Sequence, residues 1–142
     1  MIFDNQNRAA LRQSYFDVWH KLKNQRPLTS LESQIADVLK LHPEYHILLE
    51  NADHIDKDYP PELNQTNPFL HMGLHLAVLE QINTDRPAGI ARIYQTAILR
   101  SNPHQLQHQM MEALAEMIWL AQKNNTIPNE QDYLDNLQLR LT

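Results

Sequence analysis

The chain contains no cysteine, and among its 142 residues only two are glycine, Gly73 and Gly89. Without cysteine there is no disulfide, no thiolate nucleophile and no Cys-containing zinc site, which fits a reducing compartment. A phosphate-binding P-loop, a dinucleotide-binding GxGxxG and a GxSxG nucleophile elbow each need two glycines close together. Two glycines sixteen positions apart satisfy none of them, so no nucleotide cofactor is expected. Long apolar runs are missing too. The candidates are interrupted by His71 and His75, or by Glu112 and Glu116, well short of the roughly 20 residues of a membrane span. The N-terminus lacks the basic flank and apolar stretch of a secretory signal. These absences predict a cytoplasmic protein with no membrane partner. The net charge of −5 argues against a surface that tracks nucleic-acid phosphates.

Strand signals are equally scarce: neither apolar alternation nor a hairpin dipeptide occurs. Helical periodicity is what remains. Leu11, Tyr15, Val18, Trp19 and Leu22 form one apolar stripe, and Leu31, Ile35, Val38 and Leu39 another. Thr29 and Glu32 stand three apart as a capping box. Asn67-Pro68 and Asn102-Pro103 each place a capping residue before a proline suited to a first helical turn. Pro43, Asp85-Arg86-Pro87 and Asn129 with Asp132 mark three further starts. The pattern predicts helices over 6–25, 30–41, 43–50, 68–82, 87–100, 103–123 and 130–140. The expected fold is all-α, a compact bundle of about seven helices with no sheet, as a single helical domain over 1–142. Residues 52–66, with Pro60-Pro61 and the acids Asp53, Asp56 and Asp58, read as a mobile connection. They lack the alternation and central glycine of a calcium loop.

Histidine is the unusual component. Eight occur, and three pairs stand four apart: 42/46, 71/75 and 104/108. Random placement would give roughly 0.4 such pairs. Spacing of four puts two imidazoles on one helical face, one turn apart, where they can share an ion. Pro43 should take His42 off its helix, so that pair counts for less. On the fourth helix His71 and His75 fall in the middle of an apolar arc with Met72, Val78, Leu79 and Ile82, while Gly73, Glu80 and Gln81 fall opposite. The sixth helix is apolar over most of its circumference and carries His104, His108 and, one turn on, Glu112. Burying two imidazoles is costly unless something satisfies both. His71, His75, His104, His108 and Glu112 are therefore the candidate metal ligands, between the fourth and sixth helices. Imidazole and carboxylate donors suit zinc, iron, nickel or copper.

HExxH and ExxH are both absent, which sets aside the common zinc peptidases and the ferritin-like di-iron pattern. The order of His20, His46 with Glu50, His71 with His75, and His104 is similar to the ligand order of hemerythrins. Gln109 stands where their bridging Asp belongs. A resemblance over nearly the whole chain rests on Leu41-His42-Pro43-Glu44-Tyr45-His46, on the stretch from Asn67-Pro68-Phe69 through His71 and His75 to Ala77, and on Asp85-Arg86-Pro87 leading to Gly89-Ile90. It continues through His104, His108, Met110-Met111-Glu112 and Leu114-Ala115-Glu116. In these residues the chain resembles the bacterial family catalogued as domain of unknown function 1841. That likeness implies a small intracellular protein and supplies no mechanism.

Two functions follow as expectations. The first is a small metal-binding helical protein with a His/Glu site, whose ion could support hydrolytic or redox chemistry. The second is a non-catalytic interaction or homodimerising protein whose histidines are structural.

Overall fold

The computed structural model describes residues 5–51 and 67–141, with side chains from residue 9 onward. The expectations for residues 52–66 lie outside the described residues. Among those described there are seven α-helices, one 3-10 turn and no strand. The all-α expectation holds. The chain divides into two units, 1–72 and 73–142.

The first unit holds α1 (Asn5–Lys23), α2 (Ser30–Lys40), a 3-10 turn at Pro43–Tyr45 and the short α3 (His46–Leu49). Thr29 and Glu32 cap each other's backbone, with Glu32 N donating to Thr29 Oγ1 at 3.1 Å and Thr29 N to Glu32 Oε1 at 2.9 Å. This anchors the start of α2, which packs on α1. Tyr15, Phe16 and Val18 of α1 and Ile35, Ala36, Val38 and Leu39 of α2 are buried. The centres of the apolar stripes therefore face inward as expected, while Leu11, Trp19 and Leu22 of α1 are half-buried and Leu31, in the first turn of α2, is exposed. Phe69 stacks near Tyr15 at 6.3 Å and Phe16 at 6.1 Å, and Arg12 lies over its ring at 4.5 Å.

α4 (Pro68–Thr84) starts in the first unit and continues into the second. Asn67 Oδ1 accepts from Phe69 N and Leu70 N at 3.0 and 3.1 Å, as the Asn-Pro signal predicts. The second unit adds α5 (Ile90–Ala97), α6 (Pro103–Lys123) and α7 (Glu130–Leu141), with α7 packed on α5 and α6. Asn102 caps α6 through His104 N at 2.8 Å and Gln105 N at 3.3 Å. Val78, Ile90, Leu106, Met110, Ala113, Tyr133 and Leu137 are all nearly inaccessible to solvent. They form this unit's core.

Two sequence expectations need adjustment. α5 spans Ile90–Ala97 rather than 87–100. Gly89 adopts φ 104°, a left-handed conformation that cannot belong to the helix. Asp85 Oδ1 accepts from both Gly89 N and Ala91 N at 3.0 Å, so the cap lies four to six residues before the groups it serves. On α4, residues 72–76 are buried without a break, so Gly73 does not lie on a solvated side. Gln81 is likewise engaged, accepting at 2.7 Å from the hydroxyl of buried Tyr133.

Three helices are followed by a left-handed residue other than glycine. Gln25, Asp85 and Asn125 follow α1, α4 and α6 with φ of 54°, 52° and 51°. In each case the next residue donates back to a carbonyl five positions earlier: Arg26 to Lys21 at 2.9 Å, Arg86 to Gln81 at 3.2 Å, and Thr126 to Ala121 at 2.9 Å. These are Schellman closures, and here they are made by residues that pay for the left-handed geometry with strain.

Candidate metal centre

Pro43, which lessens the weight of the 42/46 spacing, is what positions His42. His42 sits between α2 and the turn begun by Pro43, with φ −127° and ψ 65°, off the helix. That conformation turns its ring back so that Nδ1 lies 2.8 Å from the Val38 carbonyl. A carbonyl oxygen only accepts, so Nδ1 carries the proton and donates it. The other nitrogen, Nε2, then bears the lone pair. It lies 2.9 Å from Nε2 of His71, with the two rings edge to face at 4.7 Å. Tyr45 stacks on His42 at 5.5 Å and meets the edge of His71 at 5.9 Å. Burial, and secondarily the Glu44 charge, pushes the Tyr45 phenol above its ordinary range. It stays protonated at neutral pH.

In the second unit His75, fully buried, is flanked by two histidines of α6. Its ring centroid lies 5.4 Å from that of His108 and 5.9 Å from that of His104, and the latter two rings are 4.1 Å apart. The four-residue spacing on α6 thus does place both rings on one face, against His75. His75 Nε2 lies 2.6 Å from Gln107 Oε1, and the Gln107 amide nitrogen donates to the Tyr94 hydroxyl at 3.2 Å. Along α4 itself, His71 and His75 are one turn apart, a rise of about 6 Å.

Of the residues singled out from sequence, His75, His104 and His108 meet directly, and His71 finds a partner in His42. Glu112 is placed differently. Its side chain is 74% exposed and its carboxylate lies 3.6 Å from Arg140, which also pairs with Glu116 at 2.5 Å. His46 and Glu50, the second pair of the hemerythrin-like order, are engaged elsewhere. His46 Nε2 donates to the Leu39 carbonyl at 2.8 Å, and its ring packs on Trp19 at 4.2 Å. Glu50 accepts from Trp19 Nε1 at 3.2 Å and pairs with Lys23, which holds its carboxyl below the usual range.

Sequence reasoning underrated His42 and passed over Gln107. For Gln107 a signal exists: with Met110, Met111 and Leu114 it continues a stripe at i, i+3, i+4 and i+7, a lone amide among apolar neighbours.

No helix among the described residues is long and apolar enough to cross a membrane. The sequence model of a family described as a domain of unknown function, DUF1841, matches residues 7–139. Neither a curated protein nor a solved structure matches.

Proposed function

The chain belongs to the DUF1841 family, and from its own side chains we propose that it is a small metal-binding protein in which paired histidines, His42 with His71 in the first unit and His75 with His108 in the second, serve as ligands for divalent transition metal. All four are histidines with a ring nitrogen that could take a metal. α4 supplies His71 and His75. Each has a further histidine packed against it, His42 beside His71 and His108 beside His75.

The observation that carries the reading is the 2.9 Å approach of the two Nε2 atoms of His42 and His71. With the Nδ1 proton of His42 committed to Val38, two lone pairs at this distance would repel. Something positive must lie between them, a proton or an ion. Ligands 2.0–2.1 Å from a tetrahedral zinc stand about 3.3 Å apart, so metal entry asks the pair to open by only a few tenths of an ångström. Neutral nitrogen donors suit zinc, nickel, copper or iron over magnesium or calcium. Glu112 is left outside the set because it faces Arg140 and solvent. His71 and His108 are only half-buried, so metal held by either pair stays reachable from solvent. An open coordination position there would let it polarise or activate a small molecule.

The same 2.9 Å separation is also the length of an N–H···N hydrogen bond, which favours the second reading. In it the histidines are structural, and the exposed Trp119, Leu120 and Ile127 suit contact with another protein or a second copy.

Protein purified without an affinity tag or chelator separates the two. The metal reading expects stoichiometric metal by elemental analysis, reduced in His42→Ala and His71→Ala. It is kept in His20→Ala, whose ring lies exposed on α1 beside Asn24. Free zinc at a thousandfold excess over Kd should stabilise the fold by about 4 kcal/mol. A protein that carries no metal and melts at the same temperature with and without zinc, nickel, copper or iron removes this reading and leaves the structural one.

A further inference from the structure

The geometry points to Gln107 as a positioning residue that selects which nitrogen of His75 is the ligand; the inference rests on the metal reading above. Gln107 belongs to α6 and is itself 9% exposed. Its amide is held at both ends. The nitrogen, which can only donate, faces the Tyr94 hydroxyl on α5 at 3.2 Å. The oxygen, which can only accept, faces His75 on α4 at 2.6 Å. His75 must answer with a proton on Nε2. A ligating ring is neutral and has one proton, so Nδ1 is the atom left for the metal.

This arrangement does for His75 what the Val38 carbonyl does for His42, with the two nitrogens exchanged. His42 is fixed with Nδ1–H and offers Nε2, whereas His75 is fixed with Nε2–H and offers Nδ1. Partners of this kind set ring orientation and raise the basicity of the ligand nitrogen. The amide of Gln107 is the interchangeable one, because a side chain can be altered where a backbone carbonyl cannot. Turning the amide over would present N–H to His75, move its proton to Nδ1 and withdraw the ligand. Tyr94 lies on the nitrogen side of the amide in the orientation the structure shows.

Two measurements on the full chain test this, with zinc as the probe. In metal-free, 15N-labelled protein, long-range 1H–15N spectra report which ring nitrogen carries the proton. His75 should be the Nε2–H form in the wild type and a mixture in Gln107→Met, which keeps the side chain's volume. Zinc affinity should then fall about 10- to 100-fold in Gln107→Met. It should fall less in Tyr94→Phe, and be kept or improved in Gln107→Glu, whose carboxylate is a stronger acceptor. A simple packing role would not produce this ordering, since the buried carboxylate would be the more disruptive change. An Nδ1–H form of His75 in the wild type overturns the inference. So does a Gln107→Met protein that binds zinc as the wild type does. A wild type that takes up no zinc overturns instead the metal reading on which the inference rests.

Discussion

Tyr15 and Tyr133 are chemically identical and almost equally buried, at 1% and 2% exposure, yet their hydroxyls meet opposite fates. The Tyr133 hydroxyl donates to Gln81 at 2.7 Å, while that of Tyr15 makes no hydrogen bond among the described residues. Removing each oxygen by substitution to Phe should therefore move stability in opposite directions. A buried, unsatisfied hydroxyl carries a desolvation cost of about 1–3 kcal/mol, and a satisfied one contributes a net 0.5–1.5 kcal/mol. Gln81 is half-buried and can turn to water once Tyr133 is changed, so the loss there should stay near 1 kcal/mol. Tyr15→Phe should gain about 1–2 kcal/mol. At about 4 °C per kcal/mol for a chain of this size, the two variants should melt on either side of the wild type and some 8–12 °C apart. Thermal unfolding followed by circular dichroism at 222 nm reads this directly. An alkaline titration adds a second check. Burial pushes both phenols well above their ordinary value. Above about pH 10 the unfolded chain releases protons that the folded chain keeps, so stability falls with rising pH. Each Phe variant should shed part of that slope. A Tyr15→Phe protein that melts below the wild type would refute the reasoning, because it would mean that the hydroxyl is held by a partner.

The acid limb should respond in the opposite sense. Glu32 is held below its ordinary pKa first by the hydrogen bond from Lys21 and then by the Thr29 backbone, and Glu50 first by Lys23. Their contribution is complete above about pH 4.5 and is lost as pH falls through the lower folded values. Glu32→Gln and Glu50→Gln should each flatten the melting temperature between about pH 2 and 5, and equal slopes in variant and wild type would contradict the assignment. At the helix ends, Gln25→Gly should stabilise by about 0.5–1 kcal/mol, because glycine enters the left-handed region without strain. Asn125→Gly should gain less, since asparagine tolerates that region better; urea denaturation midpoints in the reverse order would count against the closures described.

Helix starts were legible because their signals are local. Asn102-Pro103 predicts α6 at 103–123, and the structure has Pro103–Lys123. Asn67-Pro68 does the same for α4. The start of α5 was misplaced because Asp85-Arg86-Pro87 looks like a cap followed by a first turn. Asp85 reaches instead past Gly89 to Ala91. For the histidines, spacing gave His71, His75, His104 and His108, since one helical turn is a property of sequence. The approach of His42 to His71 spans 29 positions and depends on how the chain turns at Pro43, which no periodicity reports. Glu112 shows the converse. Its spacing from His108 is correct, but its environment belongs to Arg140.

The caps have a consequence for how quickly the chain folds. Thr29, Asn67, Asp85, Asn102 and Asn129 each bond a backbone group no more than six residues away. Closing loops that short takes well under a microsecond, so helix initiation is not the slow event. The slow event is bringing together segments far apart in sequence, as for His42 with His71 and His75 with Gln107, separated by 29 and 32 positions. Loop-closure entropy is overcome there before those contacts stabilise anything. Altering a cap should thus mainly quicken unfolding, whereas altering the histidine contacts should slow folding itself if they form in the transition state.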